Sequence, residues 1–334
     1  SNIKFNSYTS SFRKDGSQTY DYFNAMIFGR EIIDTMFLAI KYDAAKKKYD
    51  SYGLKQIIKQ EGLEKKGRTF IDTSKISELW QDVEMREKIK QYAIEDSDDA
   101  LKLFDLMAPP FFYMTQSIPK TFQQIINSAT GSQINSIMVR SYLQEKHSIP
   151  KADDTGEFQG AISAGYPGVY KNVGKYDISA LYPSVIRQYK VSSEKKDPKK
   201  HFLHIVNFFT EQRLDNKRKF KETNDSYYEN LDQSGKILVN SCYGFLAAKG
   251  LNFNYPAGAS FITKMGREIL EKGVKWASGQ ELERTVKYIK NKGKPNEEIE
   301  YEWSLKNTDD KGMGFTIVNL DTDSFTFATK KPFT

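Results

Sequence analysis

Two aspartates stand one residue apart in the run Leu320-Asp321-Thr322-Asp323-Ser324, with apolar residues on both sides. Carboxylates at that spacing repel each other and lose hydration unless a cation lies between them. The alternation of apolar residues predicts strands over 315–320 and 324–328, which puts Asp-Thr-Asp at the tight turn of a hairpin. Both carboxylates can converge there on hard divalent ions. An ordinary polar turn is the alternative for this short run alone.

A third aspartate, Asp177, lies far upstream in the run Tyr176-Asp177-Ile178-Ser179-Ala180-Leu181-Tyr182-Pro183-Ser184. The glycine-rich segment 156–174 predicts strand structure that delivers Asp177 at a strand end. An aspartate there, followed by an aromatic residue and a proline turn, can place a carboxylate and a ring on opposite sides of one pocket. A strand-to-helix junction with a capping serine is the alternative.

Basic residues concentrate between these two acidic runs. From Arg187 to Lys221 the sequence has eleven Lys or Arg and four Asp or Glu, an excess equal to the net charge of +7 of the whole chain. Arg213 and Lys217 are four apart on one predicted helix, and Lys236 lies on the next. Antiparallel packing would join them in one basic cluster, which suits a triphosphate. A solvated helix face is the alternative, but it fits poorly with the apolar run 237–239.

The composition limits the classes of protein to which this chain can belong. A chain of 334 residues predicts two or three domains, and 39% hydrophobic residues support a real core. The basic balance suits a polyanionic partner. The single cysteine, Cys242, excludes an intrachain disulfide and fits a reducing, intracellular compartment. The sequence has no signal peptide and no apolar run of the ~20 residues that a membrane span needs, so we expect no membrane partner.

Apolar periodicity predicts a mainly helical first half and a mixed second half. A strand at Ile32-Ile33 is expected to run into a helix through Ile40. Further helices are predicted over 53–61, 75–107, 119–145 (interrupted at Gly131), 201–222, 229–248 and 257–278. Residues 290–314 are charged and weakly patterned, and they predict a surface excursion before the final hairpin.

Taken in order, these segments resemble the family B DNA polymerases. Asp177 with Leu181-Tyr182-Pro183-Ser184 is similar to the family's motif A, and Lys236-x-x-x-Asn240-Ser241-x-Tyr243-Gly244 to motif B. Asp321-Thr322-Asp323-Ser324 is similar to motif C. Three weaker matches accompany them: Thr263-x-x-Gly266-Arg267 after motif B, Phe158-Gln159-Gly160-Ala161 at the exonuclease–polymerase junction, and Tyr92-x-x-x-Asp96 as a third exonuclease motif.

The resemblance implies an α+β fold with a right-hand polymerase palm, an antiparallel sheet with helices, and helical-hairpin fingers. A partial RNase H-like exonuclease domain would precede them. The implied division is an exonuclease-like part at 1–107, a helical connector at 108–157, palm at 158–190, fingers at 191–250 and palm again at 251–334. The first two exonuclease motifs are not found before residue 92, and no thumb follows Thr334, so we expect a polymerase cut at both ends.

The resemblance also implies a mechanism. Asp177 and Asp323, supported by Asp321, would hold two Mg²⁺ ions about 3.5–4 Å apart, with Mn²⁺ as a substitute. The partners would be primer–template DNA and dNTPs. A second set of residues would bind the dNTP, with Tyr182 as the sugar gate: Arg213, Lys217, Lys236, Asn240, Tyr182, Leu181 and Tyr243.

Three departures and three alternatives accompany this interpretation. Phe158 replaces the usual Tyr, Ala180 a usual Ser, and Asn319-Leu320 a usual Tyr-Gly. Neither Ala180 nor Asn319-Leu320 is expected to bind metal. The chain could instead be an inactive DNA- or dNTP-binding fragment, or one subunit of a split polymerase whose thumb or sliding clamp is another chain. A 3′–5′ exonuclease built on Tyr92 and Asp96 is the remaining alternative.

Overall fold

The computed structural model describes residues 5–13, 19–44, 47–154, 156, 158–290 and 298–332. The chain divides into two compact units, and each is taken by itself. Unit 1 comprises Ser1–Glu145 and Thr210–Leu238, and unit 2 comprises Lys146–Phe209 and Val239–Thr334. In the described part of the chain no helix is long and apolar enough to span a membrane.

Unit 1 consists of an antiparallel strand pair followed by helices. Its elements are β1 (Phe5–Arg13), β2 (Thr19–Ile27), α1 (Thr35–Asp43), α2 (Leu54–Gln60), α3 (Ile76–Leu79), α4 (Val83–Met107), α5 (Pro109–Met114), α6 (Phe122–Asn127) and α7 (Thr130–Gln144). The tail of α9 (His201–Thr223) and the start of α10 (Ser226–Ala247) also belong to it.

Local sequence signals account for the boundaries of several of these helices. Asp34 caps α1 by accepting from the amide of Met36, and Asp82 caps α4 in the same way. Thr121 and Gln124 form a reciprocal capping box at the start of α6. The helix α4 ends before the Pro-Pro pair that opens α5, because proline is tolerated in the first turn but not inside a helix.

Unit 2 is built on a four-stranded antiparallel sheet in the order β3-β7-β8-β4. The strands of this sheet are β3 (Ser163–Gly165), β4 (Val173–Asp177), β7 (Thr316–Asp321) and β8 (Ser324–Ala328). The other elements of the unit include α8 (Leu181–Tyr189), α11 (Pro256–Ser278), β5 (Glu281–Lys290) and β6 (Glu298–Lys306). One face of the sheet is covered by α11, whose Leu270, Val274 and Ala277 are fully buried with Leu320 and Phe325 of the final hairpin. This apolar layer fixes the register of the hairpin, because a slip of one residue would expose its buried face.

The predicted strands of the final hairpin and the predicted helices α2, α9, α10 and α11 are confirmed to within a few residues. The strand predicted at Ile32-Ile33 is wrong: these residues form no strand, and the neighbouring strand is β2, which ends at Ile27. The break in the helix predicted over 119–145 falls at Ser128-Ala129, between α6 and α7, rather than at Gly131.

The excursion predicted over 290–314 lies largely at the surface, but its strand structure was not predicted. β5 begins before it and pairs with β6, which lies within it, and residues 291–297 lie outside the described residues. The base of this hairpin packs on the unit 2 core through Leu282, Trp303 and Leu305. Its outer part is held by cross-strand pairs, including Lys287 with Glu300 at 3.2 Å. Apolar alternation is weak there because most of the strand length is exposed on both faces.

Candidate active site

The sheet register brings the three predicted aspartates to one place. Ser324, the first residue of β8, pairs with Asp177 of β4 on one side and with Asp321 of β7 on the other. Asp323 directly precedes Ser324, and its carbonyl oxygen accepts a 2.9 Å hydrogen bond from the amide of Ile178. The sequence prediction that Asp177 ends a strand is confirmed. Asp177, the last residue of β4, and Asp323, the residue before β8, therefore lie near each other at one end of these neighbouring strands.

The turn that presents Asp323 is strained. Thr322 has φ of 51°, in the left-handed region that β-branched residues rarely adopt. Its amide donates to the carbonyl of Ile162 at 2.8 Å, and the amide of Asp323 donates to the carbonyl of Asp321 at 2.5 Å. Backbone strain of this kind persists only where surrounding contacts over-determine it, and it clusters at functional sites.

The environment of the aspartate cluster disfavours the ionised form of Asp323. Burial, followed by repulsion from Asp177 and then Asp321, raises the pKa of Asp323 above the usual aspartate value. Lys175 acts in the opposite direction, and its ammonium lies 3.7 Å from a carboxylate oxygen of Asp177. Both partners of that pair are more than half exposed, so the ion pair contributes little. Among the described residues, the chain thus brings carboxylates together without a strongly bound cation of its own between them.

This donor set fits a divalent metal in one specific way. In the described part of the chain, no group of three or more Asp, Glu, His or Cys residues is arranged to hold a metal ion. Asp177 and Asp323 supply two hard carboxylate donors whose repulsion a cation would relieve. Magnesium commonly binds through one or two carboxylates together with substrate phosphates and water, rather than in an all-protein cage. The residues therefore fit an ion whose coordination a substrate completes.

Tyr182 lies beside this cluster, on the first turn of α8. Burial is the main cause that raises the pKa of Tyr182 to about 12, and Tyr243 and Asp323 add to it. The rings of Tyr182 and Tyr243 are 4.6 Å apart between centroids. Leu181, the neighbouring predicted dNTP contact, is buried. Two predicted residues, one from each of α8 and α10, are thus in direct contact within unit 2.

A glycine of α11 makes room for the Tyr182 ring. A Cβ added at Gly266 would lie 3.0 Å from Cε1 of Tyr182 and 3.4 Å from Cδ2 of Leu181. The same helix holds the segment 159–160: Arg267 donates to the carbonyls of Gln159 and Gly160 at 2.8 and 2.6 Å, and Thr263 donates to that of Gln159 at 3.0 Å. The Thr-x-x-Gly-Arg pattern thus has a physical explanation, since each of its residues positions a neighbouring motif.

The predicted triphosphate ligands lie on the two long helices. Lys217 of α9 and Lys236 of α10 are exposed, and both belong to unit 1 with Arg213. Arg213 is not an unpaired cation: its Nε lies 3.0 Å from a carboxylate oxygen of Asp232 on α10. Asn240 is exposed on the part of α10 that belongs to unit 2.

Tyr92 and Asp96, the predicted exonuclease residues, lie on α4 in unit 1 and are engaged by cations of the chain itself. Lys55 donates to the hydroxyl of Tyr92, and its ammonium lies 4.2 Å from the centre of the ring. Asp96 forms an ion pair with Arg68, whose side chain is only 2% exposed and which also pairs with Asp99. Both predicted residues thus have a structural partner.

Sequence reasoning missed two charged residues beside the predicted site residues. Lys175 stands two residues before Asp177 on β4, and strand periodicity puts both on one face. Asp232 stands four residues before Lys236 on α10, and helix periodicity puts those two on one face. Each spacing was available as a signal, but the partner across the helix pair, Arg213, is known only from the structure.

Comparison with known proteins gives one consistent result. Residues 202–331 match the sequence profile of DNA polymerase family B. The DNA polymerase of Thermococcus sp. (strain 9oN-7) is 24% identical over 238 residues, which are 62% of this chain and 31% of that protein. The DNA polymerase of Thermococcus gorgonarius is 22% identical over 286 residues, which are 76% of this chain and 33% of that protein.

The fold gives a similar match. A family B DNA polymerase from the hyperthermophilic archaeon Pyrobaculum calidifontis superposes with a TM-score of 0.66 at 17% identity, over 92% of this chain and 40% of that one. The chain therefore shares an α+β fold with antiparallel sheets with that polymerase, and it spans about a third of the length of the curated relatives. With the profile match over the final hairpin and the ordered motifs, these findings show that the chain is similar to the family B DNA polymerases in sequence and in fold.

Proposed function

We propose that this chain carries the nucleotidyl-transfer site of a template-directed DNA polymerase. The observation that carries the proposal is that Asp177 ends β4 opposite Ser324, the residue directly after Asp323, and that burial and repulsion from Asp177 raise the pKa of Asp323. In the reaction, the primer 3′-oxygen forms a bond to the α-phosphorus of a dNTP. The bond from that phosphorus to the bridging oxygen breaks, and pyrophosphate leaves.

Asp177 and Asp323 would hold the divalent cations, with Asp321 in a supporting position. Two Mg²⁺ ions, or Mn²⁺ in their place, would supply Lewis-acid chemistry that lowers the pKa of the primer hydroxyl and neutralises the leaving pyrophosphate. The protein's own part is to fix the carboxylates at one end of the sheet, which the β4–β8 and β7–β8 registers do above the buried apolar layer. Positioning and charge stabilisation account for most of the catalysis in phosphoryl transfer.

Nucleotide binding is assigned to residues of both long helices and of α8. Arg213, Lys217 and Lys236 would contact the triphosphate, and Asn240 would line the pocket of the new base pair with Leu181 and Tyr243. Tyr182 would stack under the deoxyribose and exclude a 2′-hydroxyl. The room left by Gly266 and the contact with Tyr243 support this role, because both confine the ring.

The proposed domains follow the expected division, with palm at 158–190 and 251–334 around fingers at 191–250. The exonuclease-like part at 1–107 and the connector at 108–157 would precede them. The partners would be primer–template DNA and dNTPs, inside the cell. An exonuclease role for Tyr92 and Asp96 has less support, because Lys55 and Arg68 engage them.

Primer extension tests the proposal. The chain is incubated with a primer–template, dNTPs and Mg²⁺, beside the variant Asp323→Asn, which keeps the size of the side chain and removes its charge. We expect extension by the native chain and a loss of at least 100-fold in the variant. Equal extension by both would refute the site assignment. If the native chain binds DNA without extending it, addition of candidate thumb or clamp chains tests the split-polymerase alternative.

A further inference from the structure

An acidic residue outside the predicted set lies against the proposed triphosphate ligands. Asp232 of α10 and Arg213 of α9 form an ion pair with 3.0 Å between a carboxylate oxygen and Nε. The two side chains are 22% and 17% exposed. This pair joins the two long helices within unit 1.

The contacting atoms are more enclosed than the side chains as a whole. Nε of Arg213 and Oδ1 of Asp232 are both buried, and neither has a hydrogen-bond partner among the described residues. The pair is therefore held by charge rather than by a well-aligned hydrogen bond. Because Nε is buried while the side chain keeps part of its exposure, the exposed part of Arg213 lies elsewhere in the side chain. Asp232 thus anchors the guanidinium by one edge.

Helix periodicity puts the carboxylate among the proposed ligands. Arg213 and Lys217 are four residues apart on α9, and Asp232 and Lys236 are four apart on α10. Residues at that spacing are neighbours on a helix surface. The acid therefore shares a helix face with one proposed ligand and an ion pair with another.

We propose that Asp232 is a positioning residue for the incoming nucleotide, acting through Arg213. The inference rests on the proposed function. A free arginine side chain loses rotamer freedom when it binds phosphate, and a side chain held in place beforehand loses less. Asp232 fixes the guanidinium at Nε and leaves its planar fork to meet the phosphates. Removal of the carboxylate should therefore weaken dNTP binding, although it removes a negative charge near an anion.

Nucleotide affinity tests this role without requiring catalysis. The dissociation constant of dATP is measured by calorimetry with Mg²⁺ on a dideoxy-terminated primer–template whose next template base is thymine. The proteins are the native chain, Asp232→Ala, Asp232→Asn, Arg213→Ala and the double variant. Asp215→Ala is the matched control. Asp215 is an acid of α9, the helix that carries Arg213, but its ion partners are Arg218 and Lys219.

We expect Asp232→Ala to raise the dissociation constant about three- to tenfold, Asp232→Asn to fall between it and the native value, and the control to change it less than twofold. In the Arg213→Ala background, Asp232→Ala should have no further effect. An unchanged constant in Asp232→Ala, with only a lower melting temperature, would show a purely structural ion pair and overturn the inference. A lower constant would show that the carboxylate competes with phosphate, which also overturns it. Failure of the native chain to bind dATP would count against the proposed function itself.

Discussion

Asp177→Asn should make the metal-free protein more stable while it removes the response to metal. The reason is that Asp177 and Asp321 repel a partly buried Asp323 and raise its pKa. Asp177 is 57% exposed, so solvent screens the repulsion, and its size falls within the ~0.2–1 kcal/mol typical of exposed charge pairs. We therefore expect the free energy of unfolding in EDTA to rise by about 0.5 kcal/mol at neutral pH.

The pH dependence has a definite sign. A carboxyl whose pKa is raised by folding contributes stability below the unfolded value of about 3.9, and this contribution is lost as the pH rises through the folded value. The native chain should lose stability over that interval because of Asp323. Asp177→Asn should reduce this loss, since it removes the stronger of the two repulsions that act on Asp323.

The assay is urea denaturation followed by circular dichroism, with EDTA and with Mg²⁺. At about ten times its dissociation constant, a ligand that binds only the folded state adds about 1.4 kcal/mol. The native chain should show a gain of this kind, and Asp177→Asn should show less. Asp321→Asn is the matched control and should change the metal-free stability less, because Asp321 perturbs Asp323 less than Asp177 does. A fall in metal-free stability of Asp177→Asn, or an equal gain from Mg²⁺ in both proteins, would refute the reasoning.

Three further outcomes are expected. Gly266→Ala puts a Cβ 3.0 Å from the Tyr182 ring and should lower discrimination against ribonucleotides in primer extension, whereas Gly244→Ala, with open space at its Cβ, should leave discrimination unchanged. Arg68→Ala should lower the free energy of unfolding in urea by about 3–5 kcal/mol, because it leaves acidic partners without their buried countercharge. Burial lowers the pKa of Lys41 to about 7, so the unfolded state binds the proton more tightly and stability should rise from pH 7 to 10; an equal slope in Lys41→Met would contradict this.

The final hairpin was predictable because apolar residues stand on both sides of the Asp-Thr-Asp turn. β7 buries Ile317 and Leu320, and the mostly buried β8 follows directly after the turn. The long helices were predictable for a similar reason, since α10 and α11 carry sustained apolar stripes. What could not be predicted was the pairing of distant segments, such as the edge position of β3 beside β7.

The β5–β6 hairpin shows where pattern reasoning fails. Its outer strand residues are charged or aromatic on both faces, as with Arg284, whose guanidinium lies 3.8 Å from the ring of Tyr301. Contacts of this kind join positions that have no periodic signal in either strand. The close backbone approach at the base of the hairpin also has no signal in the sequence. A Cβ at Gly279 would lie 2.1 Å from the carbonyl oxygen of Asp310.

Charge compensation separates the two acidic motifs of this chain more clearly than their sequences do. Asp96 resembles a catalytic ligand, yet it pairs with an arginine that is almost fully buried, and such a pair is costly to open. Asp323 has the opposite environment, with two repelling aspartates opposed by a backbone hydrogen bond of its own and by an exposed lysine. A folded chain keeps such an uncompensated cluster at a cost in stability, and costs of this kind concentrate where function requires them. The acid that the chain leaves uncompensated is therefore the better candidate for binding a metal and a substrate.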